Sequence, residues 1–267
     1  MAGPTAAERG VREQEPSGPP PARRLRPPKP RTIIILALAL VLLGAGGGWV
    51  LYGSSWLRVE WVTVSGTRVL TPAQVREAAD VPLGAPLASL DTGAIETRLR
   101  RKLPRIDAVD VVRSWPHGIG LKVVERTPVL LMENPDNAGG FVEVDKEGVR
   151  FATVSRAIKD VPVLELAPSR SGSAGASLRR FGEGRLVREA VRTVAALPAG
   201  VARDTRTVKV RSYDAISLEL DGGRTVAWGS SEKGAAKARA LTALMKAAPG
   251  ARHFDVSVPT APASSGS

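Results

Sequence analysis

Residues Ile106 to Glu125 read IDAVDVVRSWPHGIGLKVVE: two apolar-rich runs, Ile106 to Ser114 and Ile119 to Glu125, parted by Trp115-Pro116-His117-Gly118. Alternation at a period of two marks strands with one buried face, and the break containing Pro and Gly marks a turn between them. Upstream, Ile95, Leu99 and Leu103 recur at four-residue spacing, which predicts a helix beginning near Asp91 and stopped by Pro104. Its basic residues Arg98, Arg100, Arg101 and Lys102 are expected on the solvated face. Further back, Thr71, Pro72 and Gln74 occupy the N-cap, first and third positions of a capping box, so another helix runs to about Ala79, before the break from Val81 to Pro86. Val59 to Val64 (VEWVTV) alternates and ends in Ser65-Gly66-Thr67, a strand followed by a turn. The order strand, helix, helix, strand, strand over residues 57–126 predicts a three-stranded sheet packed on two helices, with one open sheet face and a free edge. Such a module suits docking better than chemistry.

Before this module lies Thr32 to Tyr52, TIIILALALVLLGAGGGWVLY, a run of 21 residues without a charge. At about 1.5 Å per residue, a helix of that length spans a hydrocarbon core of about 30 Å. Arg23, Arg24, Arg26, Lys29 and Arg31 precede it, whereas the first basic residue after it is Arg58. That asymmetry places the N-terminus in the cytoplasm and the remaining chain outside, with Trp49, Tyr52 and Trp56 at the outer interface. A cleaved signal peptide is the rival reading, from Ala45-Gly46-Gly47; the long segment before the run and the return of Trp49, Val50 and Leu51 weigh against it. Gly44 and Gly48 have the spacing of close helix pairs, a weak signal in so glycine-rich a chain. Residues 1–31 contain eight prolines and no helical period, so they are expected to be a disordered cytoplasmic tail. A ligand role for Pro27, Pro28 and Pro30 is the lesser alternative.

The chain has no cysteine, which excludes disulfides and thiolate chemistry. Its formal charge is +12; residues 1–31 carry seven Lys or Arg against three Glu, leaving +8 for the rest. Nucleic acid is the usual partner of so basic a protein, but behind an anchor of this orientation anionic lipid or cell-wall polymer is nearer. A bias toward Ala, Arg, Gly, Val and Pro explains the charge equally well.

Downstream, Phe141 to Phe151 (FVEVDKEGVRF) predicts a hairpin turning at Asp145 to Gly148, and Pro168 to Ser177 reads as a flexible connector. Glu183 to Leu197 carries Val187, Ala190, Val191 and Val194 on one helical face, and a helix from about Glu232 to Ala248 buries Leu241, Leu244, Met245 and Ala248. Short strands are expected at Thr207 to Val210, Ala215 to Leu220, Thr225 to Trp228 and, last, His253 to Val258. The whole is α+β: a membrane helix over 32–52, the first module, a mixed β-rich domain with two helices over 127–260, and a flexible tail over 261–267.

No catalytic constellation is present. His117 and His253 are far apart in the sequence, no phosphate-cradling loop lies between a strand and a helix, and no serine has an evident base. An enzyme is therefore not expected, nor any metal or cofactor. The terminal strand is the sharper candidate, because a strand at a sheet margin offers unpaired N–H and C=O groups to another chain.

The residues also carry a resemblance. Arg113-Ser114-Trp115-Pro116 followed by Leu121 to Pro128 (LKVVERTP) resembles the signature of the FtsQ/DivIB bacterial cell-division proteins, and the element order resembles a POTRA domain. The hairpin at 141–151 and Val161-Pro162-Val163-Leu164 resemble later family motifs. The resemblance implies a non-enzymatic, single-pass type II membrane scaffold of the division septum. Its partners would be FtsB/DivIC-like and FtsL-like proteins and other divisome membrane proteins, not nucleic acid, and it would help control septal wall synthesis. By position, it implies partner docking by strand addition at Phe254, Asp255, Val256, Ser257 and Val258. Ser257 and Val258 stand where some members carry a basic residue and an aromatic, and Pro259 cannot donate to a ladder. Arg113, Trp115 and Pro116 are a second candidate docking point. Against that, a tryptophan before proline is expected to pack over its own core, and Arg113 is placed to pair with Glu125 across the hairpin. The alternative function is a membrane-tethered adaptor that binds wall polymer or anionic lipid through the basic helix face.

Overall fold

The computed structural model describes residues 29–53, 55–135, 139–166, 180 and 182–266. The Pro-rich tail before Lys29 and the connector at Pro168 to Ser177 lie outside the described residues.

Helix α1 (Pro30–Tyr52) is 23 residues long, and among the described residues it is the one helix long and apolar enough to cross a membrane. None of its side chains is buried by protein.

The unit that follows begins with β1 (Trp61–Ser65), α2 (Pro72–Ala79), α3 (Thr92–Lys102), β2 (Ile106–Ser114) and β3 (Gly118–Glu125). The sheet order is β1-β3-β2, with β1 parallel and β2 antiparallel to β3. Both helices start where side chains satisfy free N–H groups: Thr71 and Gln74 form the capping box of α2, and Asp91 accepts from Ala94 N–H at α3. Their apolar stripes, Val75 and Ala79 with Ile95 and Leu99, pack on Val109, Val111, Ile119, Leu121 and Val123. Gly66 leaves β1 at φ +85°, where an added Cβ would come within 2.1 Å of the Val123 carbonyl oxygen, so the turn admits no side chain.

The second layer is built from β4 (Leu130–Glu133), β5 (Phe141–Val144), β6 (Arg150–Val154), β7 (Val163–Leu166), α4 (Glu183–Ala196), α5 (Ala199–Asp204), β8 (Thr205–Ser212), β9 (Ala215–Leu220), β10 (Thr225–Gly229), α6 (Gly234–Ala247), β11 (His253–Asp255) and β12 (Ala263–Ser265). These strands form a nine-stranded mixed sheet in the order β12-β11-β10-β9-β8-β7-β4-β5-β6. Leu186, Val187, Ala190 and Val191 of α4 and Leu241 of α6 close one core with Val208, Val210, Ile216, Leu218, Val226 and Trp228. The short helix α5 and strands β4 and β7 are additions to what the sequence pattern predicts. Leu130-Leu131-Met132 has no alternation because Leu130 and Leu131 are both fully buried, between β5 and β7.

The C-terminus departs from expectation. The strand expected over His253 to Val258 stops at Asp255, whose carboxylate accepts from the Ser257 N–H and hydroxyl and turns the backbone out of the extended path. Residues 263–265, expected within a flexible tail, return as β12 and pair antiparallel with β11: His253 with Ser265, Phe254 with Ser264, Asp255 with Ala263. The sequence leaves open whether this edge is free or covered by the residues after Pro259; it is covered by the chain itself.

Candidate partner-binding edge

β11 is held on its inner side by parallel pairing with β10, and Val256 N–H continues that contact by donating to Ala227 O at 3.0 Å. Phe254 and Val256 are buried at 2% and 0% exposure, so within the segment 254–258 they serve the core. Asp255, Ser257 and Val258 face solvent, with Val258 an exposed apolar side chain. On its outer side Arg252 N–H donates to Ser265 O and Gly266 O, at 3.2 and 2.7 Å, while on the β10 side Thr225 Oγ1 lies 2.7 Å from His253 Nδ1. The β12 side chains Ala263, Ser264 and Ser265 are all exposed.

Two further residues shape this corner. Lys237, 2% exposed, enters from α6 and donates through Nζ to Trp228 O and Ser230 O, both at 2.8 Å. Burial pulls its ammonium below the ordinary lysine range, with nearby Glu232 and Asp255 opposing and Lys233 adding to the shift. Glu189, also buried, takes hydrogen bonds from Arg192 and from Ser231 on the β10–α6 loop. Neither group was legible as a tie between helix and sheet, since a charged residue on an amphipathic helix ordinarily faces water.

In the first module the candidate docking residues separate. Arg113 does not pair with Glu125: it donates to Leu87 O at 3.0 Å and Leu90 O at 2.5 Å and pins the segment before α3. Glu125 instead accepts from Arg68, Val69 and Leu70 N–H groups. Trp115 does not pack over the core but stands 51% exposed at the turn, beside exposed Pro116. The outward edge of β2 is partly closed, because Glu96 accepts from Val111 N–H at 3.2 Å. The basic face also thins: Arg98 donates to Ala79 O and Asp80 O and closes the end of α2, leaving Arg100, Arg101 and Lys102 exposed.

Asp107, Asp145 and Glu147 bring their carboxylates within 4.8 Å of one another. Arg126 Nη1 sits among them, 3.2 Å from Asp107, 3.7 Å from Glu147 and in contact with Asp145, so a guanidinium bridges this cluster. His117 and His253 remain apart, one facing Glu60 and the other Thr225. Among the described residues these are structural contacts.

The two modules also match known proteins. The profile of the POTRA domain, FtsQ-type, matches residues 57–126, and that of the cell division protein FtsQ/DivIB C-terminal region matches residues 135–257. The chain is 75% identical over 267 residues to the cell division protein FtsQ of Streptomyces coelicolor, covering 100% of both chains. It is 30% identical over 230 residues to the cell division protein FtsQ of Mycobacteroides abscessus, covering 86% of this chain and 68% of that one. A solved structure of the major extracytoplasmic domain of DivIB from Geobacillus stearothermophilus is 19% identical, at a TM-score of 0.32, over 46% of this chain and 93% of that chain. Two family profiles in tandem and relatives matched end to end show that the chain belongs to the FtsQ/DivIB family of bacterial cell-division proteins.

Proposed function

We propose that this protein is a non-enzymatic scaffold of the divisome, a single-pass type II membrane protein whose modules outside the cytoplasm gather FtsB/DivIC-like and FtsL-like proteins at the septum and help control wall synthesis there. The domain division follows the sequence reading: tail 1–31, membrane helix 32–52, POTRA module 57–126, β-domain 127–260 and the residues after it. The observation that supports the reading is the C-terminal end of the nine-stranded sheet, where β11, backed by a buried core and followed by exposed Ser257 and Val258, has only the short, exposed strand β12 on its outer side. Such a margin binds an extended segment by main-chain pairing, which fits a protein whose work is positional.

Binding of the extracytoplasmic part of the DivIC-like protein from the same cell to the full chain in detergent micelles tests this. Val256→Pro is a poor probe, because the Val256 N–H already serves β10. Val258→Glu alters an exposed side chain and leaves the core alone. Wild type is expected to bind at near-physiological salt with little dependence on ionic strength, and Val258→Glu to bind at least about tenfold more weakly, or about 1.4 kcal/mol. No binding by wild type removes the partner assignment. Binding that falls steeply with salt and ignores Val258→Glu points instead to Arg100, Arg101 and Lys102 and the adaptor reading.

A further inference from the structure

We propose that the position beside β11 is an exchangeable strand site, occupied in the free protein by the chain's own β12 and yielded to an extended segment of a partner. The inference rests on the scaffold reading above and adds how the docking edge is controlled. β12 shows what the site accepts, an antiparallel strand in register with His253, Phe254 and Asp255. It is a weak occupant. Ala263, Ser264 and Ser265 are small and exposed, so the strand is held by main-chain hydrogen bonds with almost no apolar burial to offset the entropy of ordering it. Segments of this kind open locally at little cost while the rest of the fold stays closed.

Opening β12 would leave β11 intact, because its inner edge is paired with β10 and Phe254 and Val256 remain in the core. Residues 257–262 supply the hinge, with Pro259 and Pro262 breaking the ladder between the two strands. The incoming strand can gain what β12 does not. Opposite Phe254 the chain places only Ser264, and α6, which packs on β11, leaves Leu244, Met245 and Ala248 partly buried. A partner strand with a large apolar residue at that position buries surface the tail cannot. The site therefore selects an extended segment with alternating apolar side chains, and the tail serves as a low-affinity stand-in that keeps the edge from pairing with other chains.

The absence of cysteine makes the test clean. His253→Cys combined with Ser265→Cys places one thiol pair on register partners, so oxidation staples β12 down and reduction frees it. Truncation after Thr260 removes β12 altogether. Binding of the same DivIC-like fragment to the full chain, the truncated chain and the double variant in both redox states reads out the exchange, with a circular dichroism melt on each form. Truncation is expected to tighten binding about tenfold, as for a site closed about nine-tenths of the time, the oxidised variant to lose binding, and the reduced variant to regain it. Wild type that binds as tightly as the truncated and stapled forms overturns the exchange while leaving the scaffold reading in place. Truncation that abolishes binding also overturns it, since β12 would then be part of the docking surface. Failure of every form to bind removes the scaffold reading and the exchange with it.

Discussion

Glu125 shows how much one side chain does in the first module. It is 5% exposed, and burial alone would raise its carboxyl; the Arg68, Val69 and Leu70 N–H groups and the charge of Arg105 outweigh burial and hold it below the ordinary glutamate range. A depressed folded value means the native state binds protons less readily than the unfolded chain. Its stabilisation is therefore present at neutral pH and lost as pH falls through that depressed value. Glu125→Ala is expected to cost about 1.5–3 kcal/mol at neutral pH and correspondingly less in acid, as urea melts across the acidic range would register. Gly66→Ala should be as damaging for a different reason, a left-handed φ and a collision with a backbone oxygen that has no rotamer to escape into; a loss above about 2 kcal/mol in the same melts is expected. Arg126→Ala leaves Asp107, Asp145 and Glu147 crowded without their cation and should cost about 3 kcal/mol.

At the scale of elements, what was legible in the sequence was what is decided locally. The capping box at Thr71 and Gln74, the Asp91 cap and the stripe of Ile95 and Leu99 fix α2 and α3 within a few residues, and alternation fixes β2 and β3. Long-range choices were not legible. Arg113 stands near Glu125 in a drawn hairpin, yet in the strand register it lies opposite Ile119, while Glu125 lies opposite Ile106. The two groups satisfy carbonyls and N–H groups brought in by other loops. Arg113→Ala is accordingly expected to lower the melting temperature by several degrees, since it frees the carbonyls of Leu87 and Leu90, while the folded fraction binds partner as wild type does. β12 was invisible for the opposite reason: Ala-Ser-Ser has no strand propensity, and only the ladder to β11 makes it a strand. The candidate segment 254–258 was therefore half legible. The alternation of Phe254 and Val256 marks its buried face, but neither its pairing with β10 nor what covers its other side follows from that pattern.

For the molecule as a whole, the chain outside the membrane helix ties its first module to the nine-stranded sheet. Arg105 reaches from the first module to Glu143 at 2.9 Å and lies over the Phe151 ring, and Arg126 reaches Asp145, so β5 and β6 are tied to the module before them. At the far margin of the same sheet stand β11 and β12, where the account places partner exchange. The direct test is photo-crosslinking in dividing cells of the native bacterium, with a photoreactive amino acid placed at Val258 in one strain and at Arg101 in another. An adduct with the small DivIC-like division protein is expected from Val258 and none from Arg101. Adducts from Arg101 alone, or adducts to wall polymer or lipid at Arg101 with none at Val258, would contradict this expectation.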